Sequence, residues 1–328
     1  MEHRIAELLS YVGRRALYSI PVILVASFLT FAFVRATFDP TARLRQSREP
    51  AAAIRAERQQ LGLNEPLVQQ YGSWLWKFVH GDWGTSERTH EAVSAQIGRA
   101  LWDTTQLIFW GVLAAAAVAI GVGVYSALRQ YSVLDYTFTG LSFLGLALPA
   151  FWFGLIAIEF LAVGPKQWFH LNQPPLFFVG LHSRGGGVVD YGRHLVLPVL
   201  TLMVQIVAGW SRYQRASMLD VMSSDYIRTA RAKGVPRRRV VWRHGVRNAA
   251  IPLVTVIALD IGALFGGLII TEKIFSIPGM GKLFFDSLLA GDATTLTAWL
   301  VVTAVFIVVC NLLADLAYGW LDPRIRLA

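Results

Sequence analysis

The residue types that most often carry catalysis are scattered along this chain rather than grouped. It contains no His-Glu-x-x-His pair and no Gly-x-Ser-x-Gly elbow, the spacings typical of zinc hydrolases and serine hydrolases. We interpret six of its seven histidines, which are dispersed, as polar interface or loop residues. They are His80, His90, His170, His182, His194 and His244. An intramembrane enzyme is therefore a weak hypothesis.

Three acidic residues fall inside apolar runs, where ionisable groups often serve ion-coupled carriers. Glu159 and Asp315 lie near the ends of their runs, whereas Asp260 is the most central. Asp260 either lines a translocation path or makes a structural hydrogen bond between helices, and the sequence leaves both readings open. No inverted repeat with paired broken helices is evident, which disfavours a secondary carrier.

Basic residues are concentrated between Ser211 and Arg247. This segment contains ten Arg and Lys residues and only two acidic residues, Asp220 and Asp225. Such density can mark nucleic-acid binding. Here long uncharged runs flank the basic segment, so a membrane-side explanation comes first and no nucleic acid is expected. The chain also lacks a Gly-x-x-x-x-Gly-Lys-Ser/Thr phosphate loop, so ATP hydrolysis by that mechanism needs another polypeptide.

The elements that position these residues are mostly apolar. Of 328 residues, 55% are hydrophobic and 16% are charged, with a net charge of +9 and a mean hydropathy of +0.48. Soluble domains carry about a quarter charged residues, so the composition predicts an integral membrane protein. The single cysteine, Cys310, lies in an apolar run, and we interpret it as a small packed residue.

Six apolar runs reach the length of about 20 residues that a membrane-spanning helix needs. The predicted spans are about 16–36, 104–128, 134–164, 194–210, 249–270 and 296–320. Pro149 breaks the third run, and Pro198 lies in the fourth, which is the shortest. The first is expected to remain as a signal-anchor helix, because Val34-Arg35-Ala36 is a poor cleavage site.

Charge asymmetry predicts the orientation. Short basic loops stay in the cytoplasm, so the 211–247 loop is predicted to be cytoplasmic and the 37–103 region to lie outside. Six spans then leave both termini in the cytoplasm. The expected organisation is an N-terminal tail and first helix at 1–36, an extracytoplasmic region at 37–103 and a five-helix core at 104–328. Trp74, Trp76 and Phe78 are expected near the outer bilayer interface.

Within the basic loop, Asp225–Lys233 is predicted to form a short helix. Gly234 is a natural left-handed terminator and Pro236 suits the first turn of a second helix. Alanine, threonine and glycine give the first helix a thin profile. At about 1.5 Å per residue it is too short to be stable alone in water, so it needs a surface. Anionic lipid headgroups and a groove in another protein both fit, and a solvated loop without a special partner is the plain alternative.

Several segments together carry a resemblance to a known family. They are "YIRTARAKGVPRRRVVWRHGVRNAAIP", "LGLNEPLVQQYGSWLWKFVHGDWGTS", "EKIFSIPGMGKL" and "LDPRIR". The chain resembles the permease subunits of ATP-binding-cassette importers, specifically the B-type subunit of the dipeptide/oligopeptide/nickel family. The importer-wide pattern places Glu-Ala-Ala before a glycine. Here Arg228, Thr229 and Ala230 stand at those positions before Gly234, so the glutamate is absent.

The resemblance implies an all-α integral membrane protein with six transmembrane helices, a type I importer permease fold and a cytoplasmic coupling helix. The coupling helix would contact the ATPase through nine residues. They are Tyr226, Ile227, Arg228, Thr229, Ala230, Arg231, Ala232, Lys233 and Gly234.

The resemblance also implies partners and a location. The expected partners are a second related permease subunit, two ATP-binding-cassette ATPases that bind ATP and Mg²⁺, an extracytoplasmic substrate-binding protein and membrane lipid. This chain itself would hold no cofactor. Peptides are the favoured cargo, with nickel, glutathione or another small solute as alternatives, and the location is the bacterial cytoplasmic membrane. An inert assembly subunit without a pathway of its own remains a further alternative.

Overall fold

The structure is a computed structural model that describes residues 2–38, 41, 50–60 and 62–321. Within these ranges it describes the side chains except at 2–12, 57, 60, 267, 315 and 317–321. In this part of the chain the regular structure is helical, and one isolated antiparallel bridge joins Thr85 to Ala92. The predicted all-α class is therefore confirmed.

The helices follow one another closely along the chain. In order they are α1 (Glu2–Thr37), α2 (Ala51–Gln60), α3 (Leu67–Val79), α4 (Val93–Leu128), α5 (Val133–Ala147), α6 (Ala150–Ile158), α7 (Gly164–Trp168), α8 (Val188–Ser223), α9 (Asp225–Ala232), α10 (Arg237–Arg239), α11 (Arg247–Gly267), α12 (Ile269–Ile274), α13 (Met280–Ala290) and α14 (Ala293–Leu321). The π-helical segments Glu159–Val163 and Val240–Val246 join α6 to α7 and α10 to α11.

Within the described residues, five helical stretches are long and apolar enough to cross a membrane. They are Gly13–Thr37, Val93–Leu128, Val188–Ser223, Arg237–Gly266 and Ala293–Ala314. The stretch from α5 to α7 makes a sixth span if it is counted as one, although it bends by 105° at its break. Pro149 stands at this break, immediately before α6, with an extended ψ of 136°. The interruption predicted at Pro149 is thus confirmed.

The fourth span differs from its predicted extent. The apolar run 194–210 is the middle of α8, which has 36 residues and continues through Pro198. Charged residues occupy the last turns of this helix, which is why the apolar run underestimates its length. Since α8 packs along much of α4, another 36-residue helix, tertiary contacts support its polar end.

The parallel pair of α4 and α8 gives the bundle two ends, which we call the Val93 end and the Leu128 end after the first and last residues of α4. At the Val93 end, the start of α4 packs with α13 and the start of α14 in a cluster that includes Ile97, Met280 and Trp299. At the Leu128 end, the finish of α4 packs with the finish of α8 and the start of α11. The two ends are about 54 Å apart along α4.

The region between the first two spans also folds as helices. Tyr71 of α3 shares a hydrogen bond of 2.7 Å with Ser27 of α1, and Trp74 packs on Phe31. Phe78 stacks on Trp83. The aromatic side chains of α3 therefore fasten it to α1 and to the loop before α4, while their depth at a bilayer interface stays a prediction.

Candidate coupling site

The predicted short helix in the basic segment is present as α9, Asp225–Ala232. It ends where Gly234 adopts a φ of +74°. The Gly234 N–H donates to the Arg231 carbonyl (3.0 Å), and the Val235 N–H donates to the Ala230 carbonyl (3.2 Å). These two bonds form a Schellman motif, in which glycine tolerates the left-handed backbone. The predicted helix and its glycine terminator are confirmed.

Ile227 anchors α9 to the rest of the chain. Its side chain is fully buried, and α9 lies against α8 and the π-helical Val240–Val246 segment. Ile227 is one of the residues expected to contact the ATPase, but its side chain is enclosed within this chain, and the ATPase contact of the segment stays a prediction. Tyr226 both contacts this chain and remains accessible. Its hydroxyl accepts a hydrogen bond from Asn248 of α11 (3.1 Å), while the residue is 44% exposed.

The remaining residues of the segment present a polar and basic surface. The exposed members are Arg228, Thr229, Arg231, Ala232, Lys233 and Gly234, and Ala230 is half-buried. Arg228 pairs with Asp225 at 3.3 Å, but both side chains are largely exposed, so this pair adds little stability. The surface therefore keeps its positive charge for an acidic or dipolar partner.

The residues on which α9 packs, at the Leu128 end of the bundle, are themselves closely packed. Gly245 lies in close contact with α8, since a β-carbon there would lie 2.9 Å from the Met218 Cε atom and would require that side-chain end to shift. Val240 and Val241 are buried against the same end of the bundle. A displacement of α9 would therefore be transmitted to α8 and α11, since these packed elements leave little room for independent movement.

A partly buried ion pair joins the start of α5 to α8 at the Leu128 end. Arg215 of α8 binds both carboxylate oxygens of Asp135, at 3.2 and 3.1 Å, and the Asp135 side chain is 5% exposed. The Tyr131 N–H also donates to Asp135 (3.0 Å). Sequence reasoning missed this pair because its members are 80 residues apart. The available signal was an acid next to a basic turn, opposite an arginine in a long helix.

Asp260, the candidate pathway residue, is half-buried on α11. Its carboxylate accepts a 2.7 Å hydrogen bond from the Trp210 indole of α8. The structural bond that the sequence allowed is thus present, and a role in the pathway stays a prediction. Glu159 is exposed at the start of a π-helical turn, and the side chain of Asp315 lies outside the described residues.

Among the described residues, the other candidate catalytic and metal-binding side chains do not come together in one site. In the part of the chain that the structure describes, no three His, Cys, Asp or Glu residues come close enough to hold a metal ion. Cys310 is buried, and His194 bonds the backbone of Asp190 within its own helix. The terminal "LDPRIR" motif lies outside the described residues after Leu321. The surface of α9 is therefore the strongest candidate site.

Comparison with known proteins gives matches over almost the whole chain. Residues 119–327 match the family described as the inner membrane component of binding-protein-dependent transport systems, and residues 8–107 match the N-terminal part of such components. The oligopeptide transport system permease protein AppB of Bacillus subtilis is 41% identical over 97% of this chain and 99% of its own length.

Two further relatives are similar over the same extent. The oligopeptide transport system permease protein OppB of Mycobacterium tuberculosis is 36% identical, and the dipeptide transport system permease protein DppB of Escherichia coli is 35% identical. Each match covers 97% of this chain and 99% of the relative. The similarity therefore includes both ends of the bundle as well as α9.

Proposed function

Because this chain belongs to the family of inner membrane components of binding-protein-dependent transport systems, we propose that it forms half of a peptide translocation pathway and couples to a cytoplasmic ATPase through α9. The chain is a transport permease subunit rather than an enzyme. The second half of the pathway would come from a related permease. ATP and Mg²⁺ would be bound by two ATPase subunits.

The observation that carries the proposal is the construction of α9. It is an eight-residue helix in which Ile227 is buried, Ala230 is half-buried and the other residues are exposed. Small side chains at Thr229, Ala230 and Ala232 keep it narrow enough to enter a groove. A solvated loop without a partner has no need of a defined anchor and a complete Schellman motif, so both features support docking.

The packing suggests how docking produces movement. Closure of the ATPases on nucleotide would displace α9, and Ile227 and the Tyr226–Asn248 hydrogen bond would carry this displacement to α8 and α11. Asp135 and Arg215 would add α5 to the moving group. Nucleotide would then bias an equilibrium between two states, which is the requirement for alternating access.

The distribution of charge supports an orientation with the Leu128 end in the bacterial cytoplasm. The basic residues of α9 and α10 emerge at this end, as expected for a short cytoplasmic loop. Both termini would then be cytoplasmic. The Val93 end would face an extracytoplasmic substrate-binding protein, and Arg237–Arg239 would lie beside anionic lipid headgroups.

Peptides are the proposed cargo, since the relatives described above are named oligopeptide and dipeptide permeases. Nickel, glutathione or another small solute would use the same coupling machinery. Cargo choice would then depend mainly on the binding protein. Asp260 would line or support the path from its position between α8 and α11.

The test is ATPase stimulation in a reconstituted complex of this chain with its partners. Arg228→Glu combined with Arg231→Glu should abolish the stimulation that loaded binding protein produces, while membrane insertion stays intact. Arg129→Glu is the matched control, because Arg129 is exposed in a short turn at the same end. Unchanged stimulation in the double variant would refute docking through α9. Transport without any ATPase partner would instead indicate a secondary carrier.

A further inference from the structure

A second polar arrangement lies at the Val93 end, far from α9. Glu272 of α12 has a fully buried side chain. Its carboxylate accepts a 2.6 Å hydrogen bond from the Thr104 hydroxyl of α4 and a 3.0 Å hydrogen bond from the Lys282 N–H of α13. We call the group formed by Glu272, Thr104, Met280 and Trp299 the Glu272 lock.

Each member of the lock belongs to a different helix. The Met280 N–H of α13 donates to the Thr104 hydroxyl (2.8 Å), and the Trp299 indole of α14 donates to the Met280 carbonyl (2.7 Å). All four side chains are at most 4% exposed. The lock therefore joins α4, α12, α13 and α14 through a continuous chain of buried hydrogen bonds.

Two glycines allow the backbone to close around the carboxylate. A β-carbon at Gly279 would lie 2.4 Å from the carboxyl carbon of Glu272, and one at Gly281 would lie 2.5 Å from the Ile269 Cα atom. Both glycines belong to the Pro-Gly-Met-Gly stretch that follows α12 in the sequence. The carboxylate sits at the first turn of α13, where backbone N–H groups favour negative charge.

A buried carboxylate adds little net stability to a fold. Taking it out of water is costly, and well-packed apolar residues often stabilise a fold equally well. What a polar lock provides is a defined geometry, because a displaced member leaves its donors and acceptors without partners. A cleft of about 260 Å³ lies beside the lock, with walls that include Asp103, Pro278 and Lys282.

We propose that the Glu272 lock holds the Val93 end as one rigid unit, and that Glu272 is a positioning residue for closure of this end during transport. The short helix α12 has only six residues, so its position depends on these bonds. With the lock formed, α4, α12, α13 and α14 would move together. With the lock broken, the movement started at α9 would be dissipated before reaching the opposite end. The transport consequence rests on the proposed function, whereas the rigidity does not.

The first test measures distance within the assembled complex. Spin labels are attached to Trp102→Cys on α4 and Leu289→Cys on α13, both exposed positions, after Cys310→Ser removes the only native cysteine. One narrow distance distribution is expected for the unmodified lock and for Thr104→Ser, which keeps the hydroxyl. Thr104→Val and Glu272→Gln should broaden the distribution.

The second test measures uptake of a labelled peptide and ATP hydrolysis in proteoliposomes. Thr104→Val should lower uptake about tenfold, the effect of losing roughly one buried hydrogen bond to a charged group, while ATP hydrolysis continues. Thr104→Ser should restore uptake. Glu65→Gln removes an exposed carboxylate in the segment before α3 and should change neither quantity.

The outcomes separate the lock from the proposed function. If Thr104→Val only reduces the amount of assembled complex, and the remaining complex keeps a narrow distance and full uptake, the lock is merely structural and the proposal fails. If the unmodified complex imports no peptide, the proposed function fails, and the distance measurement alone decides on the lock.

Discussion

The two ends of the bundle are built by different physical means. The Leu128 end places a charged helix on an apolar base, where Ile227 is buried and the residues around it are exposed. The Val93 end buries its charge, so that Glu272 is enclosed among four helices. Positive charge is thus displayed at one end, and a carboxylate is enclosed at the other.

Under the proposed function, this difference would let one chain both receive movement at α9 and limit movement at the opposite end. An exposed helix on a packed apolar base can accept a partner without rearranging its own interior. A buried polar network specifies one arrangement, because a displaced member leaves donors and acceptors without partners. Weakening each end in turn tests this contrast.

The largest expected loss of stability comes from Gly281→Ala at the Val93 end. The new β-carbon would lie 2.5 Å from the Ile269 Cα atom and 2.7 Å from its nitrogen. Since backbone atoms must move, we expect a loss of about 3 kcal/mol. The check is the thermal unfolding midpoint of the purified protein. Gly266→Ala, where no atom lies within 4 Å, should lower it far less. Equal losses would contradict the close packing described here.

Arg215→Ala should produce the next largest loss, at the Leu128 end. It leaves the Asp135 carboxylate, 5% exposed, without its bidentate partner. Because Arg215 itself is 31% exposed, we expect about 2 kcal/mol rather than the larger cost of breaking a fully buried pair. The same unfolding measurement checks it, with exposed Arg129→Ala as the control. Adding Asp135→Asn to Arg215→Ala should recover part of the loss, and no recovery would count against an ion-pair origin.

Gly234→Ala should weaken α9 locally by about 1 kcal/mol, because alanine resists the left-handed conformation at a φ of +74°. Hydrogen exchange of the 225–235 amides should accelerate, while exchange at the Val93 end stays unchanged. Gly209→Ala, within α8 and without a close neighbour, is the control. Equal exchange in the variant and the unmodified protein would show that the Schellman motif does not limit the opening of α9.

The smallest effect concerns pH. Burial raises the pKa of Glu272 to about 7, against the hydrogen bonds from Thr104 and the Lys282 and Gly281 amides. The charged groups beside it are Asp103, which raises the pKa further, and Lys282 and Lys273, which pair with Asp286. The folded protein binds the proton more tightly than the unfolded chain. The stability that Glu272 contributes through this proton is therefore present at low pH and is lost as pH rises through about 7.

Unfolding midpoints at pH 6 and pH 8 test this sign. Glu272 should make the protein more stable at pH 6 than at pH 8 by about 1 kcal/mol. Glu272→Gln should remove this difference in stability. Burial and the neighbouring Asp292 also raise the pKa of Glu87 to about 7, so some pH dependence should persist in the variant. Greater stability at pH 8 than at pH 6, lost in Glu272→Gln, would reverse the sign and refute the account of this carboxylate.

The two ends also differ in how far the sequence predicts them. Helix α9 follows from local signals, since Gly234 ends it and Pro236 precedes the next helix. The Glu272 lock depends on Thr104, which is 168 residues away in the chain. The sequence singled out the Glu272–Leu283 stretch, but the partner of its carboxylate follows only from the packing of separate spans.

Burial within α9 shows the same limit on a smaller scale. The sequence does not distinguish Ile227 from Tyr226 within the predicted contact segment, whereas the fold buries Ile227 completely and leaves Tyr226 44% exposed. The bend at Pro149 was predictable because proline removes an N–H donor. The full length of α8 was not, because its charged last turns are supported by packing against α4.

Site-specific cross-linking tests most directly whether α9 docks on an ATPase. A photoactivatable cross-linker on Ala232→Cys, in the Cys310→Ser background, would be compared in the assembled complex with the same reagent on Arg184→Cys, an exposed position in the loop before α8. The account predicts a cross-link from position 232 to the ATP-hydrolysing subunit, changed by nucleotide, and none from position 184. An active complex with no cross-link from position 232, or labelling of that position from outside intact cells, would contradict it.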